Sequence, residues 1–172
     1  IMENYIYIIL LIILVIYIIF ILFLYLLSIK INKFELIILE NFKEKNNYIP
    51  SIYDITKNIL NKHDKIFNEI LILRKKEFTE NNFYSKLIQK INTNKQIHNQ
   101  LDFIFTVCNK HQKLYKNFKF LYIKDKILEK GLLINNNLKI YKKIVKQFNF
   151  MITIKNITII WLLIPLSKKK PI

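Results

Sequence analysis

Residues Tyr5 to Leu27 form an unbroken apolar run with no charged residue, no Gly, no Pro and no Asn. At about 1.5 Å per residue a helix of that length extends roughly 34 Å, enough to cross a hydrocarbon core of about 30 Å. A small domain cannot surround so long an apolar segment, so the run predicts a membrane span rather than a core helix. A secretory leader would combine a basic start, a shorter apolar stretch and a small-residue cleavage site. The start here is Ile1-Met2-Glu3-Asn4, and the sequence contains no alanine. A retained anchor is therefore expected. Tyr5 and Tyr7 at one end and Tyr25 at the other suit the membrane interface.

All 28 Lys+Arg residues follow the run, beginning with Lys30 and Lys33. Basic flanks stay on the cytoplasmic side, which predicts a single pass with the N-terminus out and the C-terminus in. The expected organisation is a short extracytoplasmic N-terminus (1–4), a transmembrane helix (5–27), a cytoplasmic bundle (28–155) and an apolar, basic tail (156–172). Because Glu3 precedes the run, residues 28–172 hold 11 of the 12 acidic residues, a formal charge of +17. Such a charge points to nucleic acid or to anionic lipid. Arg74 is the only arginine, and base-edge readout leans on the arginine fork. The richness in Ile, Asn, Lys, Tyr and Phe also resembles a bias towards AT-rich codons, which inflates lysine regardless of function. Lipid is the better reading: the charge suits a cytoplasmic face near anionic headgroups, and nucleic acid is not expected as a partner.

Helical periodicity dominates the remainder, with one Gly and three Pro. Ile31, Phe34, Ile38 and Phe42 continue the anchor helix to about Lys45. Asn46-Asn47-Tyr48-Ile49-Pro50 interrupts it, and Pro50 suits the first turn of a new helix. A second helix is expected from about Ser51 to Phe78, with Ile52, Ile55, Ile59, Ile66, Ile70 and Leu73 on one face. Arg74, Lys75 and Lys76 complement its C-terminal dipole. Thr79-Glu80-Asn81-Asn82 reads as a loop. A third helix, roughly Tyr84 to Asn109, has Leu87, Ile91, Leu101, Phe105 and Cys108 on a seam that Asn94 and His98 make imperfect. In the fourth, Phe120, Ile127, Ile134, Tyr141 and Phe148 repeat every seven residues, flanked by Leu138, Val145 and Ile152. Gly131 lies on the flanking row, where it would admit a large neighbour. The fold class is all-α: an N-terminal transmembrane helix continuing into an antiparallel, coiled-coil-like four-helix bundle.

One length conflict is visible. Helix one would emerge from the membrane by roughly 27 Å, whereas helix two would reach roughly 42 Å. Helix two must break, near His63, or the bundle must tilt. The tail, Ile157 to Leu166 followed by Lys168, Lys169 and Lys170, is too short for a second crossing. Trp161 beside apolar residues and a lysine cluster suits the interface, with packing on the bundle end as the alternative.

Chemistry-bearing patterns are sparse. Cys108 is the only cysteine; between apolar neighbours it reads as a core residue, with His111 three positions on. His63, His98 and His111 have no zinc-site spacing, and a single Gly excludes a phosphate loop. No catalytic residue, metal site or cofactor is expected.

The order of parts, an anchor followed by a Pro turn opening a long helix and a late helix with paired aromatic positions, resembles the LemA family across roughly residues 1–155. Tyr48-Ile49-Pro50-Ser51-Ile52-Tyr53 stands where that family shows Leu-Ile-Pro-Asn-Leu-Val. Arg74 falls near the family's arginine, and Tyr141-Lys142, Val145 and Phe148-Asn149 are similar to its Tyr-Asn, Val, Tyr-Asn run. The chain departs from the pattern in four places. His63-Asp64 sits one residue late against a His-Glu pair, and His111-Gln112 replaces a Tyr-Pro. Gly131 replaces a late Glu, and Lys155-Asn156 replaces a Phe-Pro. The resemblance implies a membrane-attached four-helix domain without agreed enzymatic activity. Pro50, Tyr141, Val145, Phe148 and Asn149 would have structural roles. The planar fork of Arg74 would stitch the end of helix two to a neighbouring helix, with a lone arginine on a solvated face as the alternative.

The leading expectation is a non-catalytic, membrane-anchored scaffold or interaction protein in a bacterial-type cytoplasmic membrane. Its partners would be the bilayer and an unidentified protein, a second copy of the chain included. The alternative is a stalk-like subunit of a larger membrane complex; the breaks at Pro50 and Thr79–Asn82 favour the folded-back bundle.

Overall fold

The computed structural model describes residues 2–60, 64–75, 83–157 and 167–169. Among these residues the chain is all α, with no strand. The elements are α1 (Met2–Asn47), α2 (Ile49–Thr56), α3 (Asp64–Lys75), α4 (Phe83–Asn109), the single turn α5 (Gln112–Tyr115) and α6 (Phe118–Ile157). Two compact units emerge. One joins Ile1–Phe34 to Ile140–Ile172, and the other is Glu35–Lys139.

In the first unit, the early part of α1 presents its apolar side chains outwards; between Tyr5 and Ile16 no described side chain is less than 47% exposed. This helix is long and apolar enough to cross a membrane. Further along, Leu24, Leu27 and Ile31 become buried, as do Tyr141, Val145, Phe148 and Ile152 on α6. The two segments run antiparallel. Lys169 donates its backbone N–H to Asn149 (2.8 Å) and its ammonium to Asn32 (3.2 Å), while the Asn149 amide donates to the Lys169 carbonyl. Five residues beyond Asn149, Ile154 borders the same apolar pocket as Tyr17 and Phe20.

The second unit has its core where α2, α3, α4, α5 and the start of α6 meet, around Ile52, Phe67, Leu101, Phe105, Leu114 and Phe120. Edge-to-face ring pairs lock it: Tyr53 with Phe67 at 5.3 Å and Phe105 with Phe120 at 6.4 Å, each adding about 1 kcal/mol beyond burial. Asn117 caps α6 by accepting the Phe120 N–H (3.0 Å).

The break between the first two helices is confined to Tyr48, and Pro50 occupies the first turn of α2, as its fixed φ favours. The single helix expected over 51–78 is instead two. The Thr56 hydroxyl donates back to the Ile52 carbonyl (2.7 Å), and the Thr56 carbonyl accepts from Ile59 and Leu60 (2.9 Å each). The chain turns here and tucks Leu60 into the core. The two pieces are about 12 Å and 18 Å long, so the length conflict disappears. His63 and the loop Thr79–Asn82 lie outside the described residues.

Every member of the α6 heptad, Phe120, Ile127, Ile134, Tyr141 and Phe148, is buried. Gly131 is a correction. A Cβ built there meets nothing within 4 Å, so the glycine accommodates no bulky neighbour and leaves open space beside the helix.

Candidate functional site

Leu24, Ile31 and Ile38 are each fully buried and seven residues apart on α1. The next position in that row is Lys45, which is only 1% exposed. Its ammonium donates to Asn94 Oδ1 on α4 at 3.3 Å. One turn further along α4 lies His98, whose Nε2 stands 3.4 Å from Asp102 Oδ2. Asn94 and His98, which interrupt the apolar seam of α4, are therefore the residues that receive a buried lysine.

The electrostatics of this layer follow from burial. Desolvation lowers the Lys45 ammonium to about 8, and the Asp102 carboxylate opposes the change. His98 is also pushed below its ordinary value, first by burial and next by the Lys45 charge, despite the Asp102 carboxylate that favours its protonation. The imidazole is thus kept neutral at physiological pH, a hydrogen-bonding group beside a cation.

Next to the layer, α1, α3 and α4 enclose a cleft of about 540 Å³. Its apolar lining includes Leu36, Leu39, Phe42, Leu73 and Ile97, and its charges are Glu40, Lys43, Arg74 and Lys90. Asn46 Oδ1 belongs to the same lining, is buried, and accepts no hydrogen bond among the described residues. Three cations against one carboxylate, over an apolar floor, suit an acidic amphipathic ligand better than a neutral one. Arg74, in the last turn of α3, makes no hydrogen bond or ion pair among the described residues; it borders the cleft opposite Thr93 and Asn94 of α4.

The other residues singled out by sequence have structural positions. Tyr141, Val145 and Phe148 are core, and Asn149 holds Lys169. Tyr5, Tyr7 and Tyr25 are exposed along α1 by 63–70%, and Lys168 is exposed. Trp161 and Lys170 lie outside the described residues. Cys108 is buried, and burial raises its thiol to about 11; His111 is exposed and meets it only through a backbone hydrogen bond to its carbonyl. Among the described residues no three His, Cys, Asp or Glu side chains come together in a way that would hold a metal ion.

Sequence reasoning missed Lys45 because a lysine reads as the end of an apolar row. The available signal was its seven-residue spacing from Ile38, matched by the two polar intruders on α4. Comparison with protein-family models, with characterised proteins and with solved structures finds no match to this chain.

Proposed function

We propose that the chain is a membrane-anchored, non-catalytic helical scaffold of the LemA kind, holding a partner protein at a bacterial-type cytoplasmic membrane with its N-terminus outside. The observation that carries this reading is α1. One uninterrupted helix of 46 residues begins as an exposed apolar rod and ends with buried side chains of a helical core. The first lysines after the apolar rod, Lys30 and Lys33, are exposed, as a cytoplasmic flank requires. The cleft beside Arg74 is the natural receptor for an acidic partner segment, and the buried, protonated Cys108 thiol is poorly suited to act as a nucleophile.

An impermeant thiol reagent tests the topology on intact cells of a bacterial host. Asn4→Cys, in a Cys108→Ala background, should label from outside, and Asn135→Cys only after lysis. The reverse pattern would overturn the orientation; release of the protein by alkaline carbonate would overturn the anchor.

A stalk subunit is the second reading, favoured by the lengths of α1 and α6, 46 and 40 residues. Small-angle scattering of the detergent-solubilised chain separates the two: a rod well over 100 Å long supports the stalk, and a compact particle supports the scaffold.

A further inference from the structure

We infer that the end of α6 enters the bilayer beside α1, and that lysines from both helices form a collar that binds anionic phospholipid headgroups. The inference rests on the anchor reading above and adds a second membrane element and a lipid class to it.

The argument starts from the register of the first unit. Ile154 borders an apolar pocket with Tyr17 and Phe20. The α1 lining of that pocket runs from Leu10 to Phe20, inside the 5–27 run, so the last turns of α6 stand within the depth of the apolar segment. The α6 sequence permits this. From Gln147 to Ile154 there is no charged residue. Phe150 is 65% exposed, so an aromatic ring faces outwards at this level, while the Lys155 side chain is only 3% exposed. A large outward-facing ring on a charge-free turn is costly in water and favourable in acyl chains.

The lysines then fall at a common height. Lys30 and Lys33 lie ten and thirteen residues from Phe20, about 15–20 Å along α1. Lys146, Lys143 and Lys142 lie eight to twelve residues back from Ile154, about 12–18 Å along the antiparallel α6. All five are exposed. Between residues 4 and 34 and between 140 and 172 the sequence has no Asp or Glu, so no carboxylate in either segment neutralises the collar. Cations that make no ion pair among the described residues, flanking a helix pair at the depth where its apolar surface ends, match the chemistry of phosphate headgroups.

The full chain, with Cys108→Ala, would be reconstituted in vesicles of phosphatidylcholine and phosphatidylglycerol and given a fluorophore at Leu14→Cys, Phe150→Cys or Lys142→Cys. Labels at 14 and 150 should be quenched by acyl-chain quenchers and shielded from iodide, and the label at 142 should show the opposite. Spin-labelled phosphatidylglycerol should associate roughly fivefold more strongly than spin-labelled phosphatidylcholine. The K30Q/K33Q/K142Q/K143Q/K146Q variant should bring that preference close to one, and K142Q/K143Q/K146Q alone should lower it part of the way. Iodide access at 150 with protection at 14 would overturn the second membrane element and leave the anchor intact. Access at both positions would overturn the anchor reading itself. Equal association of the two lipids with the unmutated chain would overturn the headgroup collar.

Discussion

Lys45 is a buried cation whose removal should strengthen the protein. Burial lowers its ammonium from 10.5 to about 8. At about 1.36 kcal/mol per pH unit, that difference makes the charged form roughly 3 kcal/mol less favourable inside the bundle than in the unfolded chain. Methionine has a similar length and no charge. Lys45→Met leaves Asn94 Oδ1 without its donor, a loss of about 1 kcal/mol at this half-buried position. The net expectation at pH 7 is a stabilisation of about 2 kcal/mol, or roughly 6 °C in Tm for a domain of this size.

The sign of the pH dependence provides a second check. The folded state releases the Lys45 proton near pH 8, while the unfolded state keeps it until about 10.5. Between those values the unfolded chain binds more protons, so this site makes stability rise with pH; below 8 both states are charged and its contribution is flat. Lys45→Met abolishes that rise. The other lysines also deprotonate at high pH, so the useful quantity is the difference between variant and parent. Thermal unfolding of both chains in detergent, followed by circular dichroism from pH 7 to 10.5, measures it. The advantage of Met should be largest at pH 7 and shrink towards pH 10.5. A variant less stable than the parent at pH 7, with a pH-independent difference, would refute the reasoning.

Three further outcomes follow from the same structure. Gly131→Ala should raise stability by about 0.5–1 kcal/mol in the same unfolding assay, because the glycine sits inside α6 with nothing within 4 Å of a new methyl. His98→Gln should remove an acid sensitivity. The folded imidazole resists protonation that the unfolded one accepts near 6.5, so the parent loses stability as pH falls through that value and the variant does not. Cys108 should resist iodoacetamide at pH 8 until denaturant is added, since burial and a thiol held up at about 11 leave almost no thiolate; rapid labelling of the folded chain would contradict its core position.

The parts of the fold that sequence revealed are those where one pattern acts alone. The α6 heptad from Phe120 to Phe148 carries no charged residue, and every member is buried. Pro50 marks its turn because its φ and missing N–H leave few alternatives. The misreadings come where the backbone turns or where distant helices meet. Thr56 looks like an ordinary helical residue, yet α2 stops there and its carbonyl takes the Ile59 and Leu60 N–H groups in the turn that follows. The turn after it shifts the buried face, bringing in Phe67, which the continuous 51–78 stripe left out. Gly131 falls on the row of Leu138, Val145 and Ile152, but periodicity does not say whether a neighbouring helix reaches that position. Lys45 and Arg74 show the same limit in opposite directions. The common residue type, repeated throughout the chain, supplies the buried polar contact. The rare one lies beside a cleft without an ion pair among the described residues.

A buried lysine that weakens the fold can still determine which fold forms. The apolar rows are nearly degenerate: Ile31 and Ile38 on α1 repeat every seven residues, as do Ile127 and Ile134 on α6. A slip of one heptad along such a row replaces isoleucine with isoleucine and changes the packing little. The Lys45–Asn94 contact removes that freedom. A seven-residue slip of α1 against α4 would draw the ammonium away from Asn94 and from the Asp102 charge while keeping it buried. An unpaired buried charge costs about 3–5 kcal/mol. That penalty exceeds the roughly 2 kcal/mol that Lys45→Met would recover in the correct register. The lysine therefore lowers the stability of the native packing by less than it raises the energy of the slipped one, and the gap between them widens.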